Sequence, residues 1–325
     1  MRIATFNLES LDVPPKAAVL LEDRIAILRP QLVRMAADVV CFQEINTQRE
    51  NAGSERRLLA LELLLQETPY AEFERSVTGI ADGRGMADVH NLVVLSRFPI
   101  LDSGEFWNKF VDAPLYRCAT AIPVEDEARP IGWDRPILKT LIQLDDVRML
   151  HVLNAHLRAP LAAPVAGQKD APFVWSSTQG WAEGYFLAAI KRAGQALELR
   201  LAIDQIFDSD PDALIAVCGD LNAEDHETAL RIVLASEEDT GSGRLATRSL
   251  VPLERSIAKD RRFTTLHHGR ALMPDHIIVS RSLLGFFRHI EIHNEPLTDE
   301  LVAYAKTDRP PDSFHAPVVA EFALN

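Results

Sequence analysis

Several apolar runs in this sequence end in a polar or ionisable residue that a buried strand does not need. Asn7 ends one run, Glu44 ends a second and His156 a third, and Asp220 and Asn222 follow a fourth. Carboxylate and amide oxygens suit a hard cation such as Mg²⁺, and imidazoles transfer protons near neutral pH. Their repeated position at strand ends predicts a shared cleft at one edge of a pair of sheets.

Two further ionisable residues lie before apolar runs instead of after them. Asp275 opens the run Asp275-His276-Ile277-Ile278-Val279-Ser280, and His315 precedes Ala316-Pro317-Val318-Val319. Taken singly, residues of these types have ordinary structural explanations, such as turns, helix caps and surface ion pairs. The interpretation as a functional site therefore depends on the whole set.

The elements that must position these residues are predicted from apolar periodicity. A helix at about 22–37 is amphipathic, and a long helix from about Gln179 to Phe207 carries an apolar stripe of Leu187, Ile190, Ala193, Leu197, Leu201 and Ile206. The other predicted elements are strands at about 2–7, 38–42, 213–218, 276–280, 287–293 and 317–322, helices near 54–67 and 227–235, and apolar or alternating runs at 92–95, 117–123, 136–144 and 149–154. Early alternation of strands and helices, followed by paired strands, predicts two packed sheets with helices outside.

The chain is predicted to form one domain over 1–325, with surface excursions near 159–182 and 236–262. The first excursion is rich in proline and contains Trp175 and Trp181, and the second is polar and charged. Long loops in compact domains are often functional. The two tryptophans are therefore candidates for substrate contact.

Composition places few limits on function. The 325 residues are 47% hydrophobic and 25% charged, and the net charge of −13 disfavours a long DNA duplex as ligand. The three cysteines, Cys41, Cys118 and Cys218, are scattered, which is typical of reduced thiols rather than of a disulfide framework. Because the sequence shows neither a signal peptide nor an apolar run long enough to cross a bilayer, we expect a cytoplasmic protein.

In their order along the chain, the motifs resemble those of the endonuclease/exonuclease/phosphatase superfamily, which includes DNase I-like nucleases, inositol-polyphosphate phosphatases and neutral sphingomyelinases. The motifs that carry the resemblance are Asn7, Gln43-Glu44, Leu95-Ser96-Arg97-Phe98-Pro99-Ile100, His156, Gly219-Asp220-Leu221-Asn222, Asp275-His276-Ile277 and His315-Ala316-Pro317-Val318. The resemblance implies an α/β fold of the α+β type, a DNase I-like four-layer sandwich of two mixed sheets flanked by helices. It also implies hydrolysis of phosphate esters with Mg²⁺, for which Mn²⁺ could substitute.

The resemblance assigns a role to each residue of the predicted cleft. Glu44 would bind the metal, with Asn7 beside it as an oxygen donor or as an orienting group. Asp220 would position or deprotonate the attacking water, and a second, weaker metal site near Asp220 and Asp275 is conceivable. Asn222 would donate a hydrogen bond to a phosphate oxygen.

The remaining roles concern the phosphoryl group itself. His156 and His315 would flank it, and Asp275 would hold His315 or bind metal. Arg135 matches a phosphate-contacting position of DNase I-like members, and Lys139 lies four residues further along the same predicted strand face; both also fit a solvated surface pair.

The last motif departs from the family's pattern, which has an aspartate directly before the histidine. Phe314 occupies that place, and phenylalanine can neither bind metal nor orient an imidazole. Either Asp312 or Asp308 supplies the missing carboxylate from the loop, or Asp275 serves alone. The acidic group that would orient His156 is unassigned as well, with Glu74 and Asp88 as candidates in the appropriate region.

Two classes of function follow. The first is a phosphoesterase, either a nuclease or a phosphatase, whose partner is a phosphorylated substrate; the sequence identifies no protein partner. The second is a catalytically weak or inactive relative that binds phosphate ligands, for which Phe314 is the sequence support. The histidines outside the motifs are expected to be surface or packed residues: His90, His151, His267, His268, His289 and His293.

Overall fold

The computed structural model describes residues 1–13, 19–51, 53–79, 85–306 and 310–324. The strands in chain order are β1 (Arg2–Leu11), β2 (Val39–Ile45), β3 (Glu74–Val77), β4 (Asn91–Ser96), β5 (Ile100–Phe106), β6 (Leu115–Tyr116), β7 (Arg129–Pro130), β8 (Ile137–Gln143), β9 (Met149–His156), β10 (Lys169–Ala171), β11 (Val174–Trp175), β12 (Leu214–Asp220), β13 (Leu250–Pro252), β14 (Thr265–His267), β15 (Arg270–Leu272), β16 (Asp275–Ser280), β17 (Phe287–Ile292) and β18 (Val318–Phe322).

The α-helices are α1 (Leu21–Met35), α2 (Leu59–Leu65), α3 (Thr178–Ser209), α4 (Thr228–Leu234), α5 (Glu237–Thr240), α6 (Arg281–Leu284) and α7 (Glu300–Lys306). Short 3₁₀ helices lie at Pro69–Glu72, Gly243–Arg248, Leu253–Ser256 and Lys259–Arg261. Within the described ranges, no helix is both long enough and apolar enough to span a membrane.

Two six-stranded sheets form the centre of the molecule. The first has the strand order β17-β18-β1-β2-β4-β3, and the second has the order β13-β16-β12-β9-β8-β5. β1 and β2 run parallel, as do β9 and β12, whereas all other neighbours in the two sheets are antiparallel. Both sheets are therefore mixed, as predicted.

Each sheet is buried on both faces, because successive side chains of a strand point to opposite sides. In β1, Ile3 lies in the core between the sheets, whereas Ala4 and Phe6 pack with α1 and α2. In the second sheet, alternate residues of β9 and β12 pack in the same way against α3 and α4. The result is the predicted four-layer sandwich, in the order helices, sheet, sheet, helices.

A polar network joins the two sheets across their otherwise apolar interface. The Nε2 atom of Gln43 donates to the Oδ1 atom of Asn154 at 2.8 Å and contacts the Thr5 hydroxyl at 3.1 Å. The amide of Asn154 in turn donates to the carbonyls of Phe42 and Val93, on the opposite sheet, at 3.0 and 3.1 Å. A fully paired buried network rigidifies and fixes one arrangement of its elements. It therefore holds the sheets in a fixed relation directly behind Glu44 and His156.

The buried face of α3 differs from the predicted stripe. Leu197 is 40% exposed, whereas Ala196, Leu199 and Ile203 are buried together with the charged Glu198. The prediction counted only apolar residues, and the sequence pattern does not show that Glu198 is buried. The predicted face is therefore displaced from the observed one. The ends of α3 agree with the prediction to within two residues.

Other differences concern loops. The predicted helix at 54–67 is confined to Leu59–Leu65, and the run 117–123 forms no strand. The stretch 159–182 contains the β10–β11 hairpin and the first turn of α3. The stretch 236–262 includes β13, whose Leu250 is buried at the edge of the second sheet, so this part of it is not a surface excursion. One domain over 1–325 remains a prediction.

Candidate active site

The strand topology brings the predicted residues to one edge of the sandwich. Asn7 and Glu44 lie near the carboxyl ends of the parallel strands β1 and β2, and His156 and Asp220 end the parallel strands β9 and β12. Asp220 is directly opposite His156 on one side and Asp275 on the other. The first sheet thus supplies one wall of the cleft and the second sheet supplies the other.

Close approach of β9 and β12 depends on a glycine. Gly219 has a φ of +142°, and a Cβ atom there would lie 1.9 Å from the carbonyl oxygen of Ala155. No other residue type fits this approach. The glycine of the Gly219-Asp220 motif therefore positions the Asp220 carboxylate.

Glu44 is surrounded by donors from three segments. Its Oε2 atom accepts from the backbone N–H and from the hydroxyl of Ser10, both at 3.1 Å, and lies 3.5 Å from Nδ1 of His90. Its Oε1 atom contacts the amide nitrogen of Asn7 at 3.5 Å. Burial alone raises the pKa of Glu44, but the close imidazole of His90 and the nearby imidazole and guanidinium groups bring it below its usual range. Glu44 is therefore a carboxylate at neutral pH.

The amide of Asn7 orients its neighbours. Its Oδ1 atom accepts the backbone N–H of Glu9 at 2.9 Å, and its Nδ2 atom donates to Oδ2 of Asp220 at 3.0 Å. The nitrogen rather than the oxygen thus faces the two carboxylates. This arrangement corresponds to the orienting role among the two that the sequence left open.

Asp220 lies between the two histidines of the cleft. Its Oδ2 atom is 3.4 Å from Nε2 of His156 and 4.0 Å from Nε2 of His315. Burial and the nearby charge of Asp275 raise the pKa of Asp220 to about 6. A carboxyl group with a pKa near the working pH is suited to accept a proton from water.

The two histidines are held in opposite charge states. Nδ1 of His315 bonds to Oδ2 of Asp275 at 2.8 Å, and burial is outweighed by this aspartate, so the pKa of His315 lies well above its usual value. Thr264 donates to the same Asp275 oxygen at 2.6 Å. Burial and the charge of Arg135 lower the pKa of His156 well below its usual value. His315 is thus an imidazolium and His156 a neutral imidazole.

Asp275 supplies the carboxylate for His315 that Phe314 cannot provide. Of the two repairs that the sequence left open, the structure has Asp275 at His315, whereas Asp312 lines the neighbouring cavity and acts on the charge of Arg24. Asp308, the other loop candidate, lies outside the described residues. Phe314 itself is buried and contacts the ring of Tyr304.

Glu9, which was not among the predicted site residues, lies beside Phe314. Its Oε2 atom accepts the backbone N–H of Phe314 at 3.0 Å, so a carboxylate from β1 occupies the neighbourhood that the missing aspartate leaves. Burial raises the pKa of Glu9 to about 7 against the opposing charge of His315. The sequence signal for Glu9 was an acidic residue two positions after Asn7, but this position matches none of the motifs that carry the resemblance.

His90 was expected to be an ordinary surface or packed histidine, and this expectation is wrong. It directly precedes β4, which runs antiparallel to β2 with Asn91 opposite Ile45, and this register brings the ring to Glu44. The candidates for orienting His156 were also wrong: Glu74 binds the backbone N–H of Ile100, Asp88 pairs with Arg56, and Nδ1 of His156 has no partner among the described residues.

Five residues around the cleft have a left-handed backbone without being glycine. The φ angles are +44° at Glu9, +51° at Ser10, +60° at Glu44, +60° at His90 and +48° at Asn222. Each such residue costs about 1–3 kcal/mol, and clusters of them mark functional sites. At β1 and β2 they coincide with a shift of strand register between Asn7 and Leu11, which turns the Glu9 and Ser10 side chains towards the cleft wall.

Arg135 and Lys139 do not lie together in the structure. The guanidinium of Arg135 is half-buried, contacts the carbonyl of Leu157 at 3.4 Å, and has its pKa lowered by burial against the charges of Glu44 and Asp220. Lys139 lies opposite Leu153 in the middle of β9, and its charge acts on His151 instead. Only Arg135 is brought to the cleft.

Asn222 and the two tryptophans also have definite positions. The Nδ2 atom of Asn222 donates to the carbonyl of Leu157 at 3.1 Å, and its backbone N–H donates to Asp220 at 2.9 Å. Trp175 lies under the Lys169 ammonium, and Trp181 is half-exposed on the first turn of α3. Neither tryptophan lines the cavity beside Glu44 and His315.

The donor set of the cleft fits a hard divalent cation. Glu44 offers a carboxylate that is partly open to the cleft, and one donor atom each of Asp220, Asp275 and His315 lies within 4.8 Å of the others. The Oδ1 atom of Asp275 is buried without a hydrogen-bond partner in the described part of the chain. Carboxylate oxygens in such surroundings are the ligands that Mg²⁺ prefers.

Comparisons with known proteins show the family and the fold. Residues 4–298 match the Endonuclease/Exonuclease/phosphatase family. Similar structures include a mannosyl-6-phosphatase from Bacteroides thetaiotaomicron (14% identity, TM-score 0.58) and an AP endonuclease from Archaeoglobus fulgidus (16%, 0.52), each covering 100% of both chains. Truncated TDP2 from Caenorhabditis elegans (14%, 0.54) covers 99% of this chain and 97% of its own. At these identities the likeness shows the fold, and no curated protein matches the sequence significantly.

Proposed function

Because this chain belongs to the Endonuclease/Exonuclease/phosphatase family, we propose that it is a magnesium-dependent phosphoesterase that hydrolyses P–O bonds by in-line attack of water. One observation carries the proposal. A carboxylate with a raised pKa, Asp220, lies 3.4 Å from a neutral histidine, His156, and 4.0 Å from a protonated one, His315. This combination supplies a proton acceptor and a donor to phosphate oxygens in one buried cluster.

Asp220 holds the attacking water and accepts its proton. Its Oδ1 atom is held by the backbone N–H of Asn222 at 2.9 Å, and its Oδ2 atom accepts from Asn7 at 3.0 Å. The carboxylate therefore has a fixed orientation before substrate arrives, which lowers the cost of reaching the transition state.

His315 and His156 donate to the phosphoryl oxygens. The Nε2 atom of His315 remains available because its Nδ1 atom is bound to Asp275. Positive charge near the equatorial oxygens stabilises the charge that develops during transfer. Arg135 adds a second cation at the same wall of the cleft.

Glu44 would hold the metal ion, with Asn7 orienting the carboxylates around it. When bound, Mg²⁺ would neutralise phosphate charge and stabilise the leaving oxygen. The carboxylates of Asp220 and Asp275 are the second location at which a divalent ion would fit, and binding there would require His315 to be neutral.

The similar structures named above act on different phosphoesters, by their names a sugar phosphate and abasic DNA, so the fold alone does not select between phosphatase and nuclease. The net charge of −13 favours a small substrate over a long duplex. A phosphorylated small molecule is therefore our preferred substrate, and a cytoplasmic location remains a prediction.

The test is release of product from a panel of phosphomonoesters, phosphodiesters, DNA and RNA with Mg²⁺, Mn²⁺ or EDTA. We expect turnover that requires the metal and is lost in Glu44→Gln and His156→Ala. A folded protein that binds metal and cleaves none of these substrates would support the alternative of an inactive phosphate-binding relative. The bond between His315 and Asp275 argues against that alternative, because the Phe314 substitution leaves the histidine with a carboxylate partner.

A further inference from the structure

A cavity of about 400 Å³ opens directly beside the phosphoryl-transfer cluster, with Glu44 and His315 forming its inner end. Its remaining walls come from the end of β1, from α1, from α7 and from the segment before β18. The cavity is large enough for a group of the size of a hexose. Because it adjoins the residues proposed to hold the phosphoryl group, it is the space that the alcohol portion of a substrate would occupy.

The walls of the cavity present hydrogen-bond acceptors. The carboxylates of Glu9, Asp12, Glu300 and Asp312 all line it. Carboxylate oxygens accept hydrogen bonds from ligand hydroxyls. One oxygen of Glu9 accepts the backbone N–H of Phe314, and within the described part of the chain the other is left for a ligand hydroxyl.

Arg24 lies in the cavity wall, and most of its donors are used within the chain. Its guanidinium donates to the carbonyls of Leu8, Glu9 and Pro311 at 2.7, 3.0 and 3.2 Å. Each of its three nitrogens is therefore bound to a backbone carbonyl, which fixes the guanidinium within the fold. Its charge compensates the carboxylates Glu9 and Asp312.

An aromatic surface completes the cavity. The Tyr304 ring is half-exposed, lines the cavity, and packs on Phe314 with 5.6 Å between the ring centroids. An aromatic face beside hydrogen-bonding side chains suits a ligand that is apolar on one face and polar at its edge.

We propose that this cavity binds the alcohol portion of a phosphate monoester, and that this portion is an uncharged polyhydroxylated ring, as in a hexose phosphate. The proposal rests on the proposed phosphoesterase function and specifies its substrate class. Ring hydroxyls donate to the carboxylates of Glu9 and Asp312, and one face of the ring lies on Tyr304. A polynucleotide would bring further phosphates close to the cavity carboxylates, which is unfavourable because like charges repel.

The test compares two substrates with the same ring size. Glucose 6-phosphate and cyclohexylmethyl phosphate share a six-membered ring and a primary phosphate ester, and only the first has hydroxyls. Choline phosphate and a 5′-phosphorylated oligonucleotide serve as cationic and polyanionic arms, and inorganic phosphate release with Mg²⁺ is measured for all four. We expect kcat/KM for the hexose phosphate to exceed each of the others at least about tenfold, because unpaired polar walls reject an analogue without hydroxyls.

Two variants and a matched control locate the preference. Tyr304→Ala and Asp312→Ala are expected to reduce the ratio of hexose phosphate to cyclohexylmethyl phosphate hydrolysis at least about fivefold. Tyr185→Ala removes a comparably exposed tyrosine from α3, away from the cavity, and should leave the ratio unchanged. A second readout does not need turnover: saturation-transfer NMR of methyl glucoside with Glu44→Gln protein should show contact that Tyr304→Ala removes.

The outcomes distinguish failure of the sugar proposal from failure of the proposed phosphoesterase function. Equal hydrolysis of cyclohexylmethyl phosphate, or preference for choline phosphate or the oligonucleotide, overturns the sugar proposal and leaves the phosphoesterase intact. Absence of turnover on every ester contradicts the proposed function. In that case, absence of methyl glucoside binding overturns the sugar proposal as well, whereas binding that depends on Tyr304 supports it.

Discussion

Helix α3 and the cleft both contain buried carboxylates, but their surroundings differ. Glu198, which is fully buried, accepts the backbone N–H groups of Lys109, Phe110 and Val111 at 2.6 to 3.2 Å. Glu183 likewise binds Tyr116 and the backbone and hydroxyl groups of residues 119–120. Both α3 carboxylates fix the long segment between β5 and β8 to the helix.

The cleft carboxylates face one another instead. Asp220 has its pKa raised partly by Asp275, and both are almost completely buried. Saturation by neutral backbone donors stabilises a fold, whereas like charges brought together without enough cations cost free energy and create affinity for a cation. The comparison therefore separates structural from functional carboxylates by their partners and not by their burial.

The largest effect that would test this comparison is expected at Glu44. Glu44→Gln should reduce kcat/KM by about a thousandfold or more, since the proposed charged metal ligand is lost. Thermal unfolding without metal should occur at a slightly lower temperature, since the lowered pKa of Glu44 means that the folded protein favours its ionised form. Steady-state kinetics and calorimetry of one preparation measure both, and a strongly destabilised variant would contradict the functional assignment.

The converse result is expected at Glu198. Glu198→Gln replaces one acceptor oxygen with an NH₂ group that faces backbone N–H groups, so we expect the free energy of unfolding to fall by about 2–4 kcal/mol. Urea denaturation measures this loss. The folded fraction should keep kcat/KM within about threefold, and a thousandfold loss of activity in folded protein would mean that α3 carries function.

Two cations, Arg135 and Lys139, test where the cleft ends. Arg135→Met should lower kcat/KM about ten- to a hundredfold, because a half-buried guanidinium beside Glu44 and Asp220 is lost. Lys139→Met should change it less than about twofold, because Lys139 acts on His151 and not on the cleft. Equal losses in the two variants would restore the sequence-based assignment of Lys139.

Glu254 is a buried carboxylate whose partner is a histidine, and this pair predicts that the stability depends on pH. It pairs with His276 at 2.5 Å, and this pairing outweighs burial and raises the pKa of His276 to about 9. Because the pKa of the folded protein exceeds the unfolded value near 6.5, the stabilisation is complete below pH 6.5 and is lost as the pH rises through 9.

The measurement is the free energy of unfolding between pH 6.5 and 10, which should fall by about 1–3 kcal/mol from this group. In the double variant Glu254→Gln/His276→Gln this part of the pH dependence should disappear. An unchanged slope in the double variant would show that the pair does not titrate in this range.

The fold, and the residues that the structure brings together at the cleft, could be predicted because their signals are local. Asn7, Glu44, His156 and Asp220 each follow a recognisable apolar strand, and Asp275 and His315 precede one. Glu9, His90 and Glu198 could not be predicted, for different physical reasons. Glu9 depends on a left-handed turn, His90 on the register between antiparallel strands, and Glu198 on a loop that wraps around a helix from about 90 residues away.

The position of β18 has a consequence for the order of synthesis. This late strand lies in the interior of the first sheet, between β17 and β1, and the Ser313 hydroxyl next to it binds the carbonyl of Asn7 at 2.8 Å, 306 residues away in the chain. A nascent chain on the ribosome therefore holds Asn7 and Glu44 long before Asp220 and His315 emerge. Under the proposed function, the site is complete only once β18 has inserted between β17 and β1, so a partly synthesised chain that lacks β18 also lacks the proposed activity.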